Sequence, residues 1–148
     1  MNIALKIVFI SSLNFLLCKQ TIAGTVILND TTPLELSEVL LYHVKMQEPT
    51  GQLEERLAKL SKKQLQKGLP DDDAKKTFWL NIYNASFQLL AAKGNKNPAI
   101  FNERLVIVAG LSFSLEEIEQ GILRKDYKKL ETIYKSPNFS RKKIRLFA

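Results

Sequence analysis

The sequence predicts a helix-rich domain of the α/β or α+β class, with about four helices and one or a few short strands. Apolar residues recur at helical spacing in several long segments, whereas one short segment is rich in β-branched residues. The 148 residues are 45% hydrophobic and 25% charged, which is typical of a single globular domain. This composition excludes disordered and fibrous classes, and the length leaves no room for a second domain.

The N-terminal residues have the pattern of a secretory signal peptide, which we expect to span 1–23. Lys6 precedes an apolar run from Ile7 to Leu17, and Thr21-Ile22-Ala23 ends with a small residue at the cleavage point. The run is too short to span a bilayer stably. We therefore expect export to the periplasm or the extracellular space, with cleavage after Ala23.

Cys18 is the only cysteine of the chain, and His43 is the only histidine. Lipidation of Cys18 would attach the protein to a membrane, but Leu16 and Leu17 stand where a lipidation motif has small residues. If the signal peptide is removed, the mature chain has no thiol. We therefore expect no disulfide, no metal centre, no cofactor, and no catalytic pair of cysteine or serine with histidine.

The next residues, 24–33, are expected to form an extended arm and a turn. A first helix should begin at Pro33, with Thr31 or Thr32 as its N-cap and Glu35 in its first turn. A second helix is predicted from Gln52 to Lys67, because leucines recur along it at helical spacing.

The third helix, predicted from about Asp73 to Lys93, should be the central one. Phe78, Trp79 and Ile82 belong to a wide apolar face. We interpret Asp71-Asp72-Asp73 as the acidic start of this helix rather than as a metal site, because carboxylates complement the helix dipole there.

A narrow polar stripe follows the same helix. Its spacing of three and four residues predicts either an edge that faces solvent or a polar network that organises a site. The residues of this stripe are Thr77, Asn81, Asn84 and Gln88.

Leu105–Ala109 is the best candidate for a strand, and Gly110 should end it. Ser114-Leu115-Glu116-Glu117 has the pattern of a capping box, in which a serine and a glutamate three residues later satisfy each other's amides. It predicts a fourth helix that continues to about Arg124.

Two motifs in these segments resemble those of domain-of-unknown-function family 547. Phe78–Ala85 resembles the family's FWxNxYNA core, and Gly110–Arg124 resembles its G…SLxxIEHxILR segment. The resemblance covers 34–124, and it implies an α-rich α/β domain of uncharacterised activity. It singles out a candidate polar site or network formed by Asn81, Tyr83, Asn84, Glu119 and Arg124.

Glu119 and Arg124 are five positions apart on one short predicted helix. Residues that face each other on an α-helix are three or four positions apart. We therefore expect no direct contact between Glu119 and Arg124 unless other elements bring them together.

The chain departs from the family pattern in two places. Gln120 stands where the family usually has a histidine, and no segment of the type RxHFAxxC…SCP follows Arg124. We interpret the chain as a C-terminally truncated member with an incomplete sheet. Val106, Ile107 and Val108 should then be exposed on at least one side, and a protein partner could cover this strand edge.

Positive charge is concentrated in the C-terminal segment 125–148, which contains eight Lys or Arg and two acidic residues. Lysine-rich sequence buries little apolar surface, so we expect a solvated basic end that adds little to the core. The chain carries no recognised nucleic-acid-binding signature, and we expect no specific nucleic acid partner.

Two functions from different classes remain open. The first is an exported, non-catalytic binding or structural module whose ligand is not identified. The alternative is the remnant of a hydrolase- or transferase-like enzyme, whose site combined Glu119, Arg124, Asn81 and Asn84 with a His/Cys segment that is missing here.

Overall fold

The computed structural model describes residues 31–93 and 98–134, together with Ile144 and Phe147. The expected signal peptide, 1–23, and the arm up to residue 30 lie outside the described residues. In chain order the elements are α1 (Pro33–Lys45), α2 (Gly51–Lys59), α3 (Lys62–Gly68), α4 (Asp72–Ala92), a 3₁₀-helix (Pro98–Asn102), β1 (Val106–Val108), β2 (Leu111–Phe113), a π-helix (Glu117–Leu123) and α5 (Tyr127–Tyr134). The fold is helix-rich α+β, as the sequence predicts.

The starts of α1 and α4 confirm the predicted caps. Thr32 Oγ1 accepts the amide of Glu35 at 3.2 Å, and the Glu35 carboxylate accepts the amide of Thr32 at 2.9 Å. At α4, Asp71 Oδ1 accepts the amide of Ala74 at 2.8 Å. Asp71 therefore caps the helix by satisfying an otherwise unpaired amide, and Asp72 and Asp73 lie in its first turn.

The segment predicted as one helix from Gln52 to Lys67 is in fact two helices, α2 and α3. Ser61 begins the second, because its Oγ accepts the amide of Gln64 at 3.1 Å and its own amide donates to Gln64 Oε1 at 2.8 Å. The prediction of a continuous helix was wrong because the spacing of the leucines continues through the break, whereas the capping box Ser61–Gln64 marks it.

Strands β1 and β2 form an antiparallel hairpin in which Val106 lies opposite Phe113. The turn consists of Ala109 (φ 52°) and Gly110 (φ 71°), both left-handed, as a two-residue hairpin turn of this type requires. The amide of Ala109 donates to Leu57 O at 2.9 Å, and that of Gly110 donates to Ala58 O at 2.8 Å. The turn therefore satisfies carbonyl groups at the end of α2. Strand β1 confirms the centre of the predicted strand.

The expectation that Val106, Ile107 and Val108 are exposed together was wrong for the two valines. Val106 and Val108 are buried, whereas Ile107 is 49% exposed. Successive side chains of a strand point to opposite faces, so the two valines share one face of β1 and Ile107 lies on the other. A protein partner that covers the Ile107 face remains a prediction.

Helix α4 is the central helix, as predicted. Phe78, Trp79 and Ile82 are at most 1% exposed, and α1 packs along α4. Trp79 Nε1 donates to the carbonyl of Phe147 at 3.1 Å, and the two rings meet edge to face with centroids 5.8 Å apart. The buried indole thus keeps both its apolar contacts and a hydrogen-bond partner.

The C-terminal segment contributes to the core, contrary to the expectation that it would bury little apolar surface. Leu130 of α5 and Ile144 are fully buried, and Phe147 is 7% exposed. These apolar residues are interspersed with lysines and arginines, and the net positive charge of the segment therefore gave no indication that they are buried. In the part of the chain that the structure describes, no helix is long and apolar enough to cross a membrane.

Candidate functional site

Three of the five candidate site residues meet where α4 contacts the π-helix. The hydroxyl of Tyr83 donates to Glu119 Oε2 at 3.1 Å, and Arg124 Nη2 lies 3.0 Å from Glu119 Oε1. Glu119 is therefore the centre of the group, with one oxygen on the tyrosine and the other on the arginine. We refer to Tyr83, Glu119 and Arg124 as the Tyr–Glu–Arg cluster.

The contact between Glu119 and Arg124 corrects the expectation that these residues do not meet. The segment forms a π-helix, in which each amide bonds the carbonyl five residues earlier, and the amide of Arg124 donates to Glu119 O at 3.0 Å. On an α-helix, residues five apart would point about 140° away from each other. The wider π turn makes them neighbours.

The environment of Tyr83 fixes its protonation state. Burial, followed by the hydrogen bond to Glu119 and the negative charge of Glu119, raises the pKa of Tyr83 to about 12. All three causes disfavour the phenolate anion. At neutral pH Tyr83 is therefore a neutral hydrogen-bond donor.

The cluster presents its charged groups to solvent unequally. The side chain of Arg124 is 66% exposed and that of Glu119 is 27% exposed. A guanidinium group has five N–H donors, and a carboxylate can accept about four hydrogen bonds. A ligand in solution can thus reach a positive and a negative group that lie side by side.

The two candidate asparagines lie elsewhere on α4. Asn81 Nδ2 donates to the Oγ of the buried Ser37 of α1 at 3.2 Å, and the backbone carbonyl of Asn84 accepts from Gln88 Nε2 at 3.2 Å. Residues two positions apart on an α-helix differ by about 200° in direction. Asn81 therefore faces α1, whereas Tyr83 faces the π-helix.

The residues of the polar stripe on α4 differ in their exposure to solvent. Thr77 is exposed, whereas Asn81, Asn84 and Gln88 are half-buried. Ser37, which receives the bond from Asn81, donates in turn to Leu34 O at 2.7 Å. Asn81 therefore belongs to a polar network between α4 and α1.

A second polar network, which the sequence did not reveal, holds the start of the π-helix. The carboxylate of Glu117 is 1% exposed and lies 2.7 Å from Arg104 Nη2, and Arg104 Nε also donates to it, at 3.1 Å. The hydrogen bond to Glu117 raises the pKa of Arg104. A buried carboxylate needs such a partner, because an unpaired charge in the interior is costly.

Ser114 and Tyr134 complete this second network. The hydroxyls of Ser114 and Tyr134 are hydrogen-bonded to each other, and the guanidinium of Arg104 lies 5.7 Å from the centre of the Tyr134 ring. The predicted capping box is present, since Ser114 Oγ accepts the amide of Glu117 at 3.0 Å. That pattern indicated Glu117 as a cap, but nothing local to Arg104 or Tyr134 indicated that they would meet it.

Within the described residues, no group of three or more His, Cys, Asp or Glu side chains could hold a metal ion. The charged groups around the Tyr–Glu–Arg cluster are paired instead. Glu116 Oε1 lies 3.6 Å from Lys129 Nζ. The negative charge of Glu116 also helps to raise the pKa of Tyr83. Glu119 and Glu116 are thus each paired with a cation, Arg124 and Lys129 respectively.

A family model described as a protein of unknown function, DUF547, matches residues 67–147. The matched region contains α4, the hairpin, the π-helix and α5, and it includes the whole Tyr–Glu–Arg cluster. It extends beyond Arg124 to Phe147, which is part of the core. No curated protein and no solved structure matched the chain. Because the match covers more than half of its length, the chain belongs to the DUF547 family.

Proposed function

We propose that this protein is an exported, non-catalytic binding module, and that the Tyr–Glu–Arg cluster is its binding element. The observation that carries the proposal is the geometry of Glu119 and Arg124, whose charged atoms are 3.0 Å apart on a half-exposed surface. The export of the chain is inferred from the pattern of residues 1–23.

The protonation states of the cluster favour binding over catalysis. Tyr83, with a pKa of about 12, holds its proton at neutral pH and is not a nucleophile or a general base. One oxygen of Glu119 accepts a hydrogen bond from Tyr83, and the other is paired with Arg124. The guanidinium group of Arg124 has hydrogen-bond donors only and no acceptor. Each group therefore has a fixed role as donor or acceptor.

The ligand that suits this arrangement carries both charges close together, as a zwitterionic α-amino acid does. Its carboxylate would accept N–H groups of Arg124, and its ammonium would donate to the remaining acceptor positions of Glu119. A simple anion would meet repulsion from Glu119 and Glu116. An exposed ion pair contributes only about 0–1 kcal/mol, so opening it for a ligand costs little.

The proposal can be tested by NMR titration of the isotope-labelled protein with glycine, acetate and methylammonium. We expect glycine to shift the Nε signal of Arg124 and the ring signals of Tyr83, and either half-ligand alone to shift them much less. Arg124→Gln should abolish the shift of the Tyr83 ring signals, and Glu119→Gln should abolish the shifts of both the ring signals and the Arg124 Nε signal. Lys128→Gln, which removes an exposed positive charge of α5, is the matched control and should leave the response to glycine unchanged.

Several outcomes would contradict the proposal. If glycine produces no shift, or if acetate binds equally well, the cluster is not a zwitterion site. If Lys128→Gln loses the response to glycine equally, the response reflects the overall charge of the protein and not a specific site. Turnover of an activated ester such as p-nitrophenyl acetate that disappears in Tyr83→Phe would favour the alternative, in which the chain retains part of a hydrolase-like or transferase-like site.

A further inference from the structure

The register of the π-helix decides whether the Tyr–Glu–Arg cluster exists. In the π register the amide of Arg124 bonds the carbonyl of Glu119, and the two side chains are neighbours. In the α register the same amide would bond the carbonyl of Gln120, and Arg124 would point about 140° away from Glu119. The paired charges that the ligand needs are therefore a property of the register.

A π-helix is rare and is mostly limited to single turns within α-helical segments. It persists where the surrounding structure holds it. At the start of this one, Glu117 is fixed by Arg104 and Ser114. At its end, Lys125 is left-handed with φ 57°, and the amide of Asp126 donates to Gln120 O at 2.7 Å.

The middle of the π-helix is held by packing on Gly121. A Cβ atom at this position would lie 2.8 Å from Ile144 Cγ2 and 2.8 Å from Leu130 Cδ1, closer than such atoms approach each other in proteins. The two side chains therefore rest directly on the backbone of the π-helix. Ile144 is fully buried there, so this contact excludes water from one side of the segment.

We infer that Ile144 is a positioning residue for the binding site: by packing on Gly121 it holds the π register that brings Arg124 to Glu119. In this mechanism Ile144 does not act through the side chains of the cluster. It acts through the backbone, since a segment relaxed to the α register would keep its hydrogen bonds and lose the cluster. The inference rests on the proposed function only in its last step, the effect on ligand binding.

The direct test is Ile144→Ala in the full chain, with Leu40→Ala as the matched control. Leu40 is 2% exposed and lies on α1, so its truncation removes a buried aliphatic side chain away from Gly121. The register is measured by NMR couplings across hydrogen bonds, from the amide of Arg124 to the carbonyl of either Glu119 or Gln120. We expect Ile144→Ala to move the coupling to Gln120 and Leu40→Ala to keep it on Glu119.

A second readout follows the cluster itself. In Ile144→Ala the pKa of Tyr83 should rise further above its ordinary value of 10.0, because the positive charge of Arg124, which lowers this pKa, is no longer beside Glu119. Ile144→Val should restore both the coupling and the pKa. The inference is wrong if Ile144→Ala keeps the coupling to Glu119 and an unchanged Tyr83 pKa. It is also wrong if Leu40→Ala changes the coupling and the pKa as much as Ile144→Ala does.

Glycine binding separates this inference from the proposed function. Coupling between a remote contact and a site typically changes affinity about fivefold or more, and we expect Ile144→Ala to raise the Kd for glycine by at least that factor. If the natural sequence binds no glycine, the proposed function fails, while the NMR couplings still decide the role of Ile144. If the register moves but the affinity does not, the site does not depend on the pair and the last step of the inference fails.

Discussion

Tyr83 is the residue whose chemistry most constrains the candidate site. Sequence motifs indicated it together with Asn81, Asn84, Glu119 and Arg124, but they carried no information about direction. The structure groups Tyr83 with the two charged residues and directs Asn81 to Ser37. Single side chains could thus be named from the sequence, whereas their grouping depends on the rotation of α4 against two other helices.

The titration of Tyr83 should depend on Glu119. Glu119→Gln removes a negative charge beside the phenol, so the pKa of Tyr83 should fall from about 12. Burial should still hold it above the ordinary value of 10.0, because desolvation is the largest cause of the shift. Carbon NMR of the tyrosine rings, assigned with Tyr83→Phe, measures this directly. An unchanged pKa in Glu119→Gln would show that the two side chains do not interact in solution.

The raised pKa of Tyr83 also predicts a loss of stability at high pH. The folded state binds the phenolic proton more tightly than the unfolded state, whose tyrosine titrates near 10.0. The free energy of unfolding therefore contains a contribution that is complete below pH 10 and decreases as the pH rises towards 12. Urea unfolding across this range should show the decrease, and Tyr83→Phe should show less of it.

Trp79 should be the most costly aromatic residue of α4 to remove. It is 1% exposed, and its ring contacts Phe78, Phe113 and Phe147. Trp79→Ala should lower the free energy of unfolding by about 3–5 kcal/mol. The adjacent Leu80 is 50% exposed, and Leu80→Ala is expected to stay within about 0.5 kcal/mol. Equal effects of the two changes would contradict the orientation of α4.

At the scale of elements, local signals in the sequence identified the helices whose ends are capped by nearby side chains. Thr32–Glu35, Asp71 and Ser114–Glu117 all lie within three residues of the amides they satisfy. The division of α2 from α3 had such a signal as well, Ser61–Gln64, but the leucine periodicity concealed it.

The capping box predicted a helix after Ser114, but nothing local predicted its π register. Its register depends on Arg104, Leu130 and Ile144, which are distant in sequence, and on the absence of a side chain at Gly121. Strand β2 was missed for a similar reason. Three residues are too few to show alternation, and Leu111–Phe113 is a strand because it pairs with β1.

The left-handed conformation of the hairpin turn can be tested by substitution of its two residues. Gly110 has φ 71°, and no atom lies within 4 Å of the position that a Cβ would take. Gly110→Ala should therefore cost about 1–2 kcal/mol through backbone strain alone. Ala109→Gly removes the same kind of strain at φ 52° and should be neutral or stabilising. Chemical denaturation of both variants measures the difference, and a destabilising Ala109→Gly would argue against this turn.

At the scale of the whole molecule, the C-terminal segment has a strong net positive charge but still contributes apolar side chains to the core. Its net positive charge suggested a solvated end, but Leu130, Ile144 and Phe147 are buried in the core. The reason is that charge is averaged over a segment, whereas burial depends on individual apolar residues. Family membership over 67–147 agrees with a core that includes this segment.

Phe147 allows that contribution to be measured. It packs edge to face on both Trp79 and Phe113, so Phe147→Ala should cost about 3–5 kcal/mol and expose the indole. The emission of Trp79, the only tryptophan, should then shift to longer wavelength. A variant with native stability and native emission would show that Phe147 does not join the core in solution.

Export is the prediction that concerns the chain as a whole, and the membrane question depends on it. A positively charged residue, an apolar run and Ala23 predict a mature N-terminus at Gly24, which mass spectrometry of the secreted protein would show. Lys6→Glu reverses the charge ahead of the apolar run and should slow processing, so that more chain retains Met1.

Cys18→Ser distinguishes removal of the signal peptide from lipidation of Cys18. If a signal peptidase removes 1–23, this change has no effect on the size or distribution of the product. If Cys18 carries a lipid, the natural sequence is found in the membrane fraction and Cys18→Ser is released from it, because the hydrocarbon anchor is lost.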